Sequence, residues 1–272
     1  MRRTLEPHMA GRTVAGLRLE DPHVTRYPAD SDAFRRRLEG RTVAALERRG
    51  KYLLIRLEGG GLWIVHLRMS GRLYWHPPGA ALERFTRARV HLDDGSEVDF
   101  IDMRRLGGMY VPDPDGTGTP DGLIHLGPEP LGDAFTPAVL IAALKGRAAT
   151  VKGILLDQRT VAGLGNIYAD EALHKAGIHP AREGRSITRS EAMRLYEAIR
   201  DVLREGIRAQ GVSFSLYRDG EGKKGSMGER LWVYGRAGQA CYACGTTIDR
   251  ARVAGRGTAY CPRCQPQRRR RA

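Results

Sequence analysis

Residues 241–264 read CYACGTTIDRARVAGRGTAYCPRC and contain all four cysteines of the 272-residue chain. Two residues separate the members of each cysteine pair, and sixteen residues lie between the pairs. Each Cys-x-x-Cys turn can place two sulfurs about 2.3 Å from one ion, and the intervening segment is long enough for a β-hairpin. This spacing predicts one structural Zn²⁺, with two disulfides as the alternative; the four ligands are Cys241, Cys244, Cys261 and Cys264. Because four sulfurs fill a tetrahedral site, we expect no chemistry at the metal.

The segment between the cysteine pairs predicts a hairpin that rises through residues 247–249, turns at residues 255–257 and returns through residues 258–260. Arg256 would lie at the tip of this hairpin, between two glycines. Glycines permit close approach to another backbone, which favours a contact between Arg256 and phosphate over a solvated side chain. In so short a segment, a zinc-binding free energy of about 10–16 kcal/mol replaces a hydrophobic core.

The charge of the whole chain favours a polyanionic partner. Lys and Arg number 45 against 31 Asp and Glu, which gives a formal net charge of +14 at pH 7. Each phosphate that a basic side chain neutralises releases condensed counterions, although a merely soluble basic protein is the alternative. The apolar fraction of 41% is that of an ordinary globular protein.

Nothing in the sequence indicates a membrane span or an export signal. No stretch approaches the roughly 18 apolar residues of a membrane span. Met1-Arg2-Arg3 does not lead into the apolar core of a signal peptide. The sequence therefore predicts a cytosolic protein, and a reducing compartment favours metal over disulfides for the four cysteines.

The first third of the chain alternates apolar and polar residues in short runs, which predicts β-strands. Residues 51–57 and 62–68 are separated by three glycines and indicate one hairpin. A second hairpin is predicted where residues 87–92 lead through Asp94-Gly95 into a further apolar run. One face of its first strand is apolar, and the other carries three basic residues, Arg87, Arg89 and His91. These runs predict an antiparallel β-sandwich.

Beyond a linker predicted near residues 125–135, the apolar period becomes helical. Thr188 and Glu191 form a capping box, and the helix behind them is predicted to end at Gly211. Three shorter helices are predicted, at residues 137–145, 151–157 and 166–176.

Two polar segments of the second half carry little to bury. Residues 211–230 predict a mobile loop or lid because glycine and charged residues dominate them. The tail Arg268–Arg271 predicts a solvated end that adds non-specific attraction to DNA.

Six further motifs make the sequence resemble the formamidopyrimidine-DNA glycosylase family, the bacterial repair enzymes for oxidised purines. The resemblance runs from Arg2 to about Gln265 and includes the cysteine-containing segment. The motifs are RRGKYLL (48–54), HLRMSG (66–71), DMRR (102–105), HLGPEPL (125–131), GLGNIYA (163–169) and VYGR (233–236). Any one of them could arise by chance, but their order together with the cysteine spacing does not.

The resemblance implies an α+β protein made of three parts and a tail. Residues 1–125 would form the antiparallel β-sandwich. Residues 135–230 would form a helical domain with a helix–two-turn–helix motif and a lid loop at residues 218–228. Residues 231–265 would form a zinc-ribbon β-hairpin, and residues 266–272 a basic tail.

The resemblance also implies an activity. Members remove damaged bases such as 8-oxoguanine and formamidopyrimidines, and then cut the abasic strand by β,δ-elimination. The implied partner is double-stranded DNA with a damaged base or an abasic site, from which the damaged nucleotide must leave the stack before C1′ is attacked. A monomer without membrane association, in the bacterial cytosol or nucleoid, is expected.

The family resemblance assigns roles to individual residues. Lys51 matches the lysine that assists at the sugar and phosphate during elimination. Arg256 matches the arginine that grips the phosphates flanking the lesion and is implicated in δ-elimination. Met69, Arg104 and Leu106 stand where the family inserts three side chains into the gap left by the flipped base. Phe is usual at the third of these positions, so Leu106 implies a smaller wedge.

Four more residues are expected to contact DNA by the same resemblance: Arg147, Lys152, Asn166 and Lys223. Arg147 stands where lysine is common, a substitution that suits phosphate. Asn166 opens the second helix of the helix–two-turn–helix, where the side chain and the helix N-terminus can hold phosphate, cap the helix or do both. Lys223 belongs to the lid over an extruded purine. Phe85 replaces a DNA-contacting His, which implies that this contact is absent.

The start of the chain departs from the family pattern. Members begin Met-Pro-Glu-Leu-Pro-Glu-Val-Glu; the exposed proline is the nucleophile and the neighbouring Glu the general acid. Met1 matches a position inside that pattern, and Glu6 and Pro7 match a later Glu-Pro-His, so the nucleophile and the acid are both missing. A start codon assigned too late is favoured over a true loss of chemistry or a chain cloned short.

Two functions therefore stay open at the level of sequence. One is an active glycosylase and abasic-site lyase, and the other is a catalytically impaired member that binds DNA or lesions. An RNA-binding zinc-ribbon protein would explain the charge and the cysteines, but not the wedge of Met69, Arg104 and Leu106.

Overall fold

The computed structural model describes residues 1–212 and 218–267, which group into two compact units. Met1–Ile124 and Val212–Gly225 form the first unit, and His125–Gly211 and Ser226–Ala272 form the second. The boundary at His125 lies at the start of the predicted linker. Among the described residues, no helix combines the length and the apolar character needed to cross a bilayer. The tail Arg268–Arg271 lies outside the described residues.

The first unit contains two β-sheets around one apolar core. Its helices are α1 (Arg2–Met9), α2 (Ser31–Leu38) and α3 (Asp121–Ile124), and its strands are β1 (Val14–Leu19), β2 (Thr25–Tyr27), β3 (Val43–Arg49), β4 (Tyr52–Leu57), β5 (Leu62–His66), β6 (Gly71–His76), β7 (Thr86–Leu92), β8 (Glu97–Asp102) and β9 (Gly108–Tyr110). One sheet has the order β1-β7-β8-β6, and the other has the order β2-β9-β5-β4-β3. Phe34, Trp63 and Phe100 are among the largest buried side chains of the core.

The two predicted hairpins of this unit are confirmed. β4 and β5 pair antiparallel from Tyr52 opposite His66, and β7 and β8 pair antiparallel around the turn at Asp94-Gly95. The predicted antiparallel β-sandwich is confirmed except for one pair, because β2 pairs with β9 in parallel. A chain segment of 80 residues separates these two strands, so no local turn signal reveals their direction.

The basic face predicted for β7 is neutralised within the unit. Arg89 is only 6% exposed, and its Nε lies 2.7 Å from Asp99 Oδ1. A second carboxylate, Glu97, lies 2.7 Å from Arg89 Nη1. Both acidic residues come from β8, so Arg89, on the basic face of β7, belongs to a buried ion-pair network.

The second unit is helical, with a short hairpin after the helices. Its elements are α4 (Pro137–Leu144), α5 (Val151–Leu156), α6 (Asn166–Ala176), α7 (Arg189–Arg208), β10 (Asp249–Val253) and β11 (Arg256–Tyr260). The capping box at the start of α7 is confirmed: the Thr188 side chain accepts from Glu191 N, and the Glu191 side chain accepts from Thr188 N. Leu155, Leu173 and Ile199 from three of the helices lie in one buried cluster.

The described part of the predicted lid loop makes its contacts within the first unit. In the described part, Asp219 Oδ1 accepts hydrogen bonds from Glu221 N and Lys223 N. Gly220 N donates to Thr4 Oγ1 at 2.9 Å, and Trp75 N donates to Gly220 O at 2.9 Å. Residues 218–225 therefore pack on α1 and β6 of the first unit, whereas the sequence placed them in the helical domain. The contact partners lie far away in the sequence, so composition could not reveal them.

Candidate functional site

The four cysteines of the second unit converge on one point. Their sulfurs all lie within 4.8 Å of one another. Three sulfur pairs measure 3.5 to 3.9 Å, namely Cys244 with Cys261, Cys244 with Cys264, and Cys241 with Cys264. A tetrahedron of sulfurs about 2.3 Å from Zn²⁺ has edges of about 3.8 Å, so the donor set fits one zinc ion. All four are free cysteines, which excludes the disulfide alternative in this structure.

The hairpin that carries the second cysteine pair turns earlier than predicted. Its turn is Ala254-Gly255, with φ values of 50° and 72°, and Arg256 is the first residue of β11, paired with Val253. Arg256 is exposed, but it lies beside the tip and not on it. Two consecutive residues with positive φ make the tight turn that suits the twist of paired strands, so the strands extend further than the glycine positions indicated.

Side chains of α6 hold this hairpin. Asn166 Nδ2 donates to Gly257 O at 2.9 Å, and Asp170 Oδ2 accepts from Ala259 N at 3.1 Å. Asn166 is the first residue of α6, and its side chain forms no helix cap, since the N-cap residue is Gly165. The backbone on both sides of Thr258 is thus fixed beside the N-terminus of α6, and Arg256 with it.

Lys152, which the resemblance places in contact with DNA, is directed into the interior of the second unit. The side chain is fully buried, and Nζ lies 2.6 Å from Asp170 Oδ1. It also donates to Thr258 Oγ1 at 2.7 Å and to Gly257 O at 3.1 Å. Burial raises the pKa of Asp170 to about 6, against the opposing effect of the Lys152 ammonium. Lys152 therefore joins α5 to the hairpin from the inside.

Glu171 is a structural residue that sequence reasoning missed. Its carboxylate accepts hydrogen bonds from three consecutive backbone N–H groups, those of Trp232, Val233 and Tyr234, at 2.8 to 3.0 Å. Val233 and Tyr234 begin the VYGR motif that precedes the zinc site. In the sequence, Glu171 is one acidic residue of a predicted helix, which reveals neither its burial nor its partners.

In the first unit, the three wedge residues lie on two loops that one carboxylate joins. Met69 follows β5 and is 68% exposed, and Leu106 follows β8 and is 47% exposed, with Arg104 exposed on the same loop. Asp102 is fully buried; its Oδ1 accepts from Ser70 Oγ and, at 3.1 Å, from Arg104 N.

The other carboxylate oxygen completes this arrangement. Asp102 Oδ2 accepts from Gly107 N at 2.7 Å, so the carboxylate binds both ends of the loop that presents Arg104 and Leu106. Ser70 and Asp102 belong to two of the family motifs, HLRMSG and DMRR, but the sequence indicates no role for them. The close pairing of their side chains across two loops is visible only in three dimensions.

Lys51 and His66 lie at the same end of the five-stranded sheet as Met69. Lys51 is exposed at the start of β4, and the neighbouring Tyr52 pairs with His66. Burial lowers the pKa of His66 to about 4, with further lowering by the charges of Arg68 and Lys51. The neutral ring accepts a hydrogen bond at Nδ1 from Arg68 N, at 3.0 Å, and so shapes the turn that leads to Met69.

The remaining predicted contacts lie at exposed positions. Arg147 is partly exposed in the second unit, with Nη2 3.9 Å from Asp157 Oδ2. Lys223 is exposed in the first unit and pairs with Glu221 at 2.8 Å. Phe85, with a φ of 71°, has the Arg84 guanidinium 4.6 Å from its ring centroid.

The fold and these sites define a class: zinc-ribbon proteins that combine a β-sandwich unit with a helical unit whose α6 holds the ribbon. Family models agree with this class in chain order. Residues 1–109 match the formamidopyrimidine-DNA glycosylase N-terminal domain, residues 126–217 match the H2TH domain of the same enzymes, and residues 238–267 match a zinc finger found in FPG and IleRS.

Whole-chain comparisons give the family. A formamidopyrimidine-DNA glycosylase of Symbiobacterium thermophilum is 50% identical over 98% of this chain and 87% of its own length. The formamidopyrimidine-DNA glycosylase of Heliobacterium modesticaldum is 44% identical over 97% of this chain and 96% of its own length. The crystal structure of the MutM (Fpg) protein of Thermus thermophilus matches with a TM-score of 0.86 and 40% sequence identity. The structure of Lactococcus lactis Fpg with abasic-site DNA matches with a TM-score of 0.89 and 31% sequence identity. Each match covers 98% of this chain and 97% of the other chain. The chain belongs to the formamidopyrimidine-DNA glycosylase family.

Proposed function

We propose that this protein binds double-stranded DNA at a damaged base or an abasic site and acts in base-excision repair. The proposed reaction is removal of oxidised purines, followed by β,δ-elimination at the abasic site. Curated relatives carry the name of this glycosylase, and the Lactococcus lactis structures contain abasic-site or Fapy-dG DNA. The bacterial cytosol, where the chromosome lies, is the proposed place of action.

The observation that carries this proposal is the wedge of Met69, Arg104 and Leu106. Two exposed apolar side chains and one guanidinium lie on adjacent loops, and the buried Asp102 carboxylate accepts hydrogen bonds from both loops. Extruding a nucleotide costs a few kcal/mol of stacking, and inserted apolar side chains recover part of that cost. The Arg104 guanidinium supplies hydrogen-bond donors for the unpaired base opposite the gap.

Phosphate contacts are assigned to residues of the second unit. Arg256 is exposed at the start of β11, where Asn166 of α6 and Lys152 both donate to the carbonyl of the next residue, Gly257. The N-terminus of a helix such as α6 suits an anion, because the first backbone N–H groups have no acceptor within the helix itself. The Asn166 amide is bonded to Gly257 O, so we assign its DNA role to placing Arg256 and not to binding phosphate directly. Arg147 is a further phosphate contact, and Lys223 is assigned to the region over the extruded base.

The chemistry at C1′ needs a nucleophile, and the family pattern assigns that role to an N-terminal proline. Residues 1–3 of this sequence are Met, Arg and Arg. Lys51 is exposed beside the wedge loops and is assigned to the elimination steps, together with Arg256.

One experiment tests the proposed chemistry. The 272-residue polypeptide and the protein purified from its host are each incubated with abasic duplex DNA and borohydride, and the intact masses are compared. We expect tight binding by both and covalent trapping only by a form that begins with proline. Full turnover by residues 1–272 would refute the assignment of the nucleophile. The affinities of the wild type and of a Met69→Ala/Arg104→Ala variant are also measured for abasic and for undamaged duplex DNA. Lesion recognition by these residues would be refuted if the two proteins showed the same affinity for each duplex.

A further inference from the structure

The first unit has a second basic feature, which we call the arginine groove. It is a depression of 600 Å³ with four arginines, a glycine turn and a loop after β9 in its wall. The residues that matter here are Arg36, Arg37, Arg41, Arg56, Asp113 and the glycines 59–61.

The groove lies at the opposite end of the five-stranded sheet from the wedge. β5 runs from Leu62, which lines the groove, to His66, which precedes the Met69 loop. At about 3.3 Å per residue, these four steps separate the two ends by about 13 Å. β9 runs antiparallel to β5, with Gly108 opposite His66, so its continuation at Val111 also leads away from the wedge. The groove is therefore separate from the loops of the proposed function.

Two of the arginines are already held in place. Arg37 Nη1 donates to Val111 O at 2.9 Å, and its Nη2 lies 2.6 Å from Asp113 Oδ1. Arg41 Nη2 donates to Glu58 O at 2.8 Å and also to Gly60 O. Each guanidinium has five N–H donors in a rigid plane, so both side chains keep donors for a ligand. Because both side chains are already ordered, ligand binding would cost them little conformational entropy.

The other two arginines are open to solvent. Arg56 bonds through Nε and Nη2 to the single oxygen Glu47 Oε2, at 3.1 and 3.0 Å. Arg36 is exposed and makes no hydrogen bond or ion pair within the described residues. Asp113 is the one carboxylate in the described lining, so the wall has an excess of positive charge.

The glycine turn adds backbone donors to this charge. Gly59 and Gly60 have φ values of 68° and 86°, and a Cβ at either position would meet nothing within 4 Å. Their N–H groups have no acceptor in the part of the chain that the structure describes. Successive free N–H groups in such a turn form a concavity that suits an anion.

We propose that the arginine groove binds a phosphate group, carried by a free nucleotide or by a nucleic-acid segment other than the one at the wedge. Several guanidinium planes and peptide N–H groups around one cavity match a multiply charged tetrahedral oxyanion better than a single planar carboxylate. The apolar residues Leu57 and Leu62 in the wall leave room for a base or sugar beside the phosphate.

The test is calorimetric titration of the full chain with pyrophosphate at low salt. We expect saturable binding by the wild type and at least tenfold weaker binding by Arg36→Ala/Arg56→Ala. The matched control is Arg12→Ala/Arg18→Ala, which removes the same charge from two exposed arginines outside the groove and should bind as the wild type does. Circular dichroism checks that both variants are folded.

Two further titrations identify the source of the phosphate. The first measures the affinity for single-stranded DNA at several salt concentrations. If the groove holds nucleic acid, the slope of log affinity against log salt is shallower for the groove variant than for the wild type, by about 0.7 for each phosphate that the variant no longer neutralises. An unchanged slope with weaker ATP binding assigns the groove to free nucleotides. The proposal is overturned if the wild type shows no saturable pyrophosphate binding, if the groove and control variants bind equally, or if a tetra-aspartate peptide binds more tightly than pyrophosphate.

Discussion

Asp102 lies wholly buried between the two loops that present Met69, Arg104 and Leu106. Neither loop has regular secondary structure, and the side chains of Met69, Arg104 and Leu106 are exposed. The conformation of the wedge therefore depends on the bonds that the Asp102 carboxylate accepts from Ser70, Arg104 and Gly107.

Replacing this carboxylate should weaken both the fold and the wedge. Asp102→Ala leaves buried donors without an acceptor, at a cost of about 1–3 kcal/mol each. We expect a first unit that is less stable by about 3 kcal/mol and an affinity for abasic duplex that falls about tenfold or more. Thermal unfolding and fluorescence anisotropy measure the two effects, with Asp93→Ala in an exposed turn as the control. Wild-type affinity in a folded Asp102→Ala variant would show that the loops do not need the carboxylate.

His66 predicts a pH dependence of stability. Its pKa of about 4 in the folded protein is below the ordinary 6.5, because burial and nearby cations disfavour the charged ring. The unfolded chain therefore binds more protons between these pH values. The contribution of His66 is complete above about pH 6.5 and is lost as the pH falls toward 4, with a size on the order of 3 kcal/mol.

Urea unfolding at pH 7 and pH 4.5 measures this dependence. His66→Asn keeps an acceptor for Arg68 N but does not titrate, so the variant should lose less stability on acidification than the wild type. Parallel pH profiles for the two proteins would contradict the assignment.

Among the elements, α6 connects the helical core to the zinc hairpin. Its polar side chains Asn166, Asp170 and Glu171 bond to the hairpin and to the segment before it. Its apolar residues Ala172 and Leu173 are buried in the helical core. One helix of eleven residues thus determines where Arg256 is held.

Removing the buried cation should loosen this connection. Lys152→Met leaves the Asp170 carboxylate buried without a partner, which should destabilise the second unit by about 3–5 kcal/mol. Lys152→Met/Asp170→Asn should recover part of that loss, because Asn keeps an oxygen for Ala259 N. Lys175→Met is the control; its ion pair with Asp201 is about half exposed and should contribute at most about 1 kcal/mol. Chemical denaturation ranks the three variants, and a double variant no better than the single one would refute the ion pair as the cause.

At the scale of the whole molecule, each unit has its own apolar core, and the ribbon has almost none. The hairpin region buries only a small cluster that includes Val233, Ile248 and two zinc ligands. Its order therefore depends on the metal and on the contacts with α6.

Loss of one zinc ligand should separate these contributions. Cys261→Ser should release zinc, unfold the ribbon and abolish DNA binding, while the first unit stays folded. Zinc content, circular dichroism and DNA affinity are measured, with Ala243→Ser in the other Cys-x-x-Cys turn as the control. Retained affinity in a zinc-free Cys261→Ser protein would show that the ribbon is dispensable for binding.

Local signals in the chain were enough for the zinc ligands, the two hairpins and the start of α7. Each depends on residues close in sequence: the cysteine spacing, the glycine and Asp-Gly turns, and the capping box of Thr188 and Glu191. The geometry of these turns and of the helix cap is set by interactions between residues close in sequence. The sequence pattern and the structure therefore agree at these places. The DNA-contact roles of Met69, Arg104, Leu106 and Arg256 stay predictions from family resemblance.

Other features were decided only by the tertiary structure. Lys152 reads as a surface lysine but is buried, because Asp170 and the hairpin close over it from 18 and more than 100 residues away. Arg89, Asp102 and residues 218–225 likewise take their roles from partners on other strands, loops or helices. A buried charge is tolerated only where partners surround it, and distant segments supply those partners only after the chain has folded.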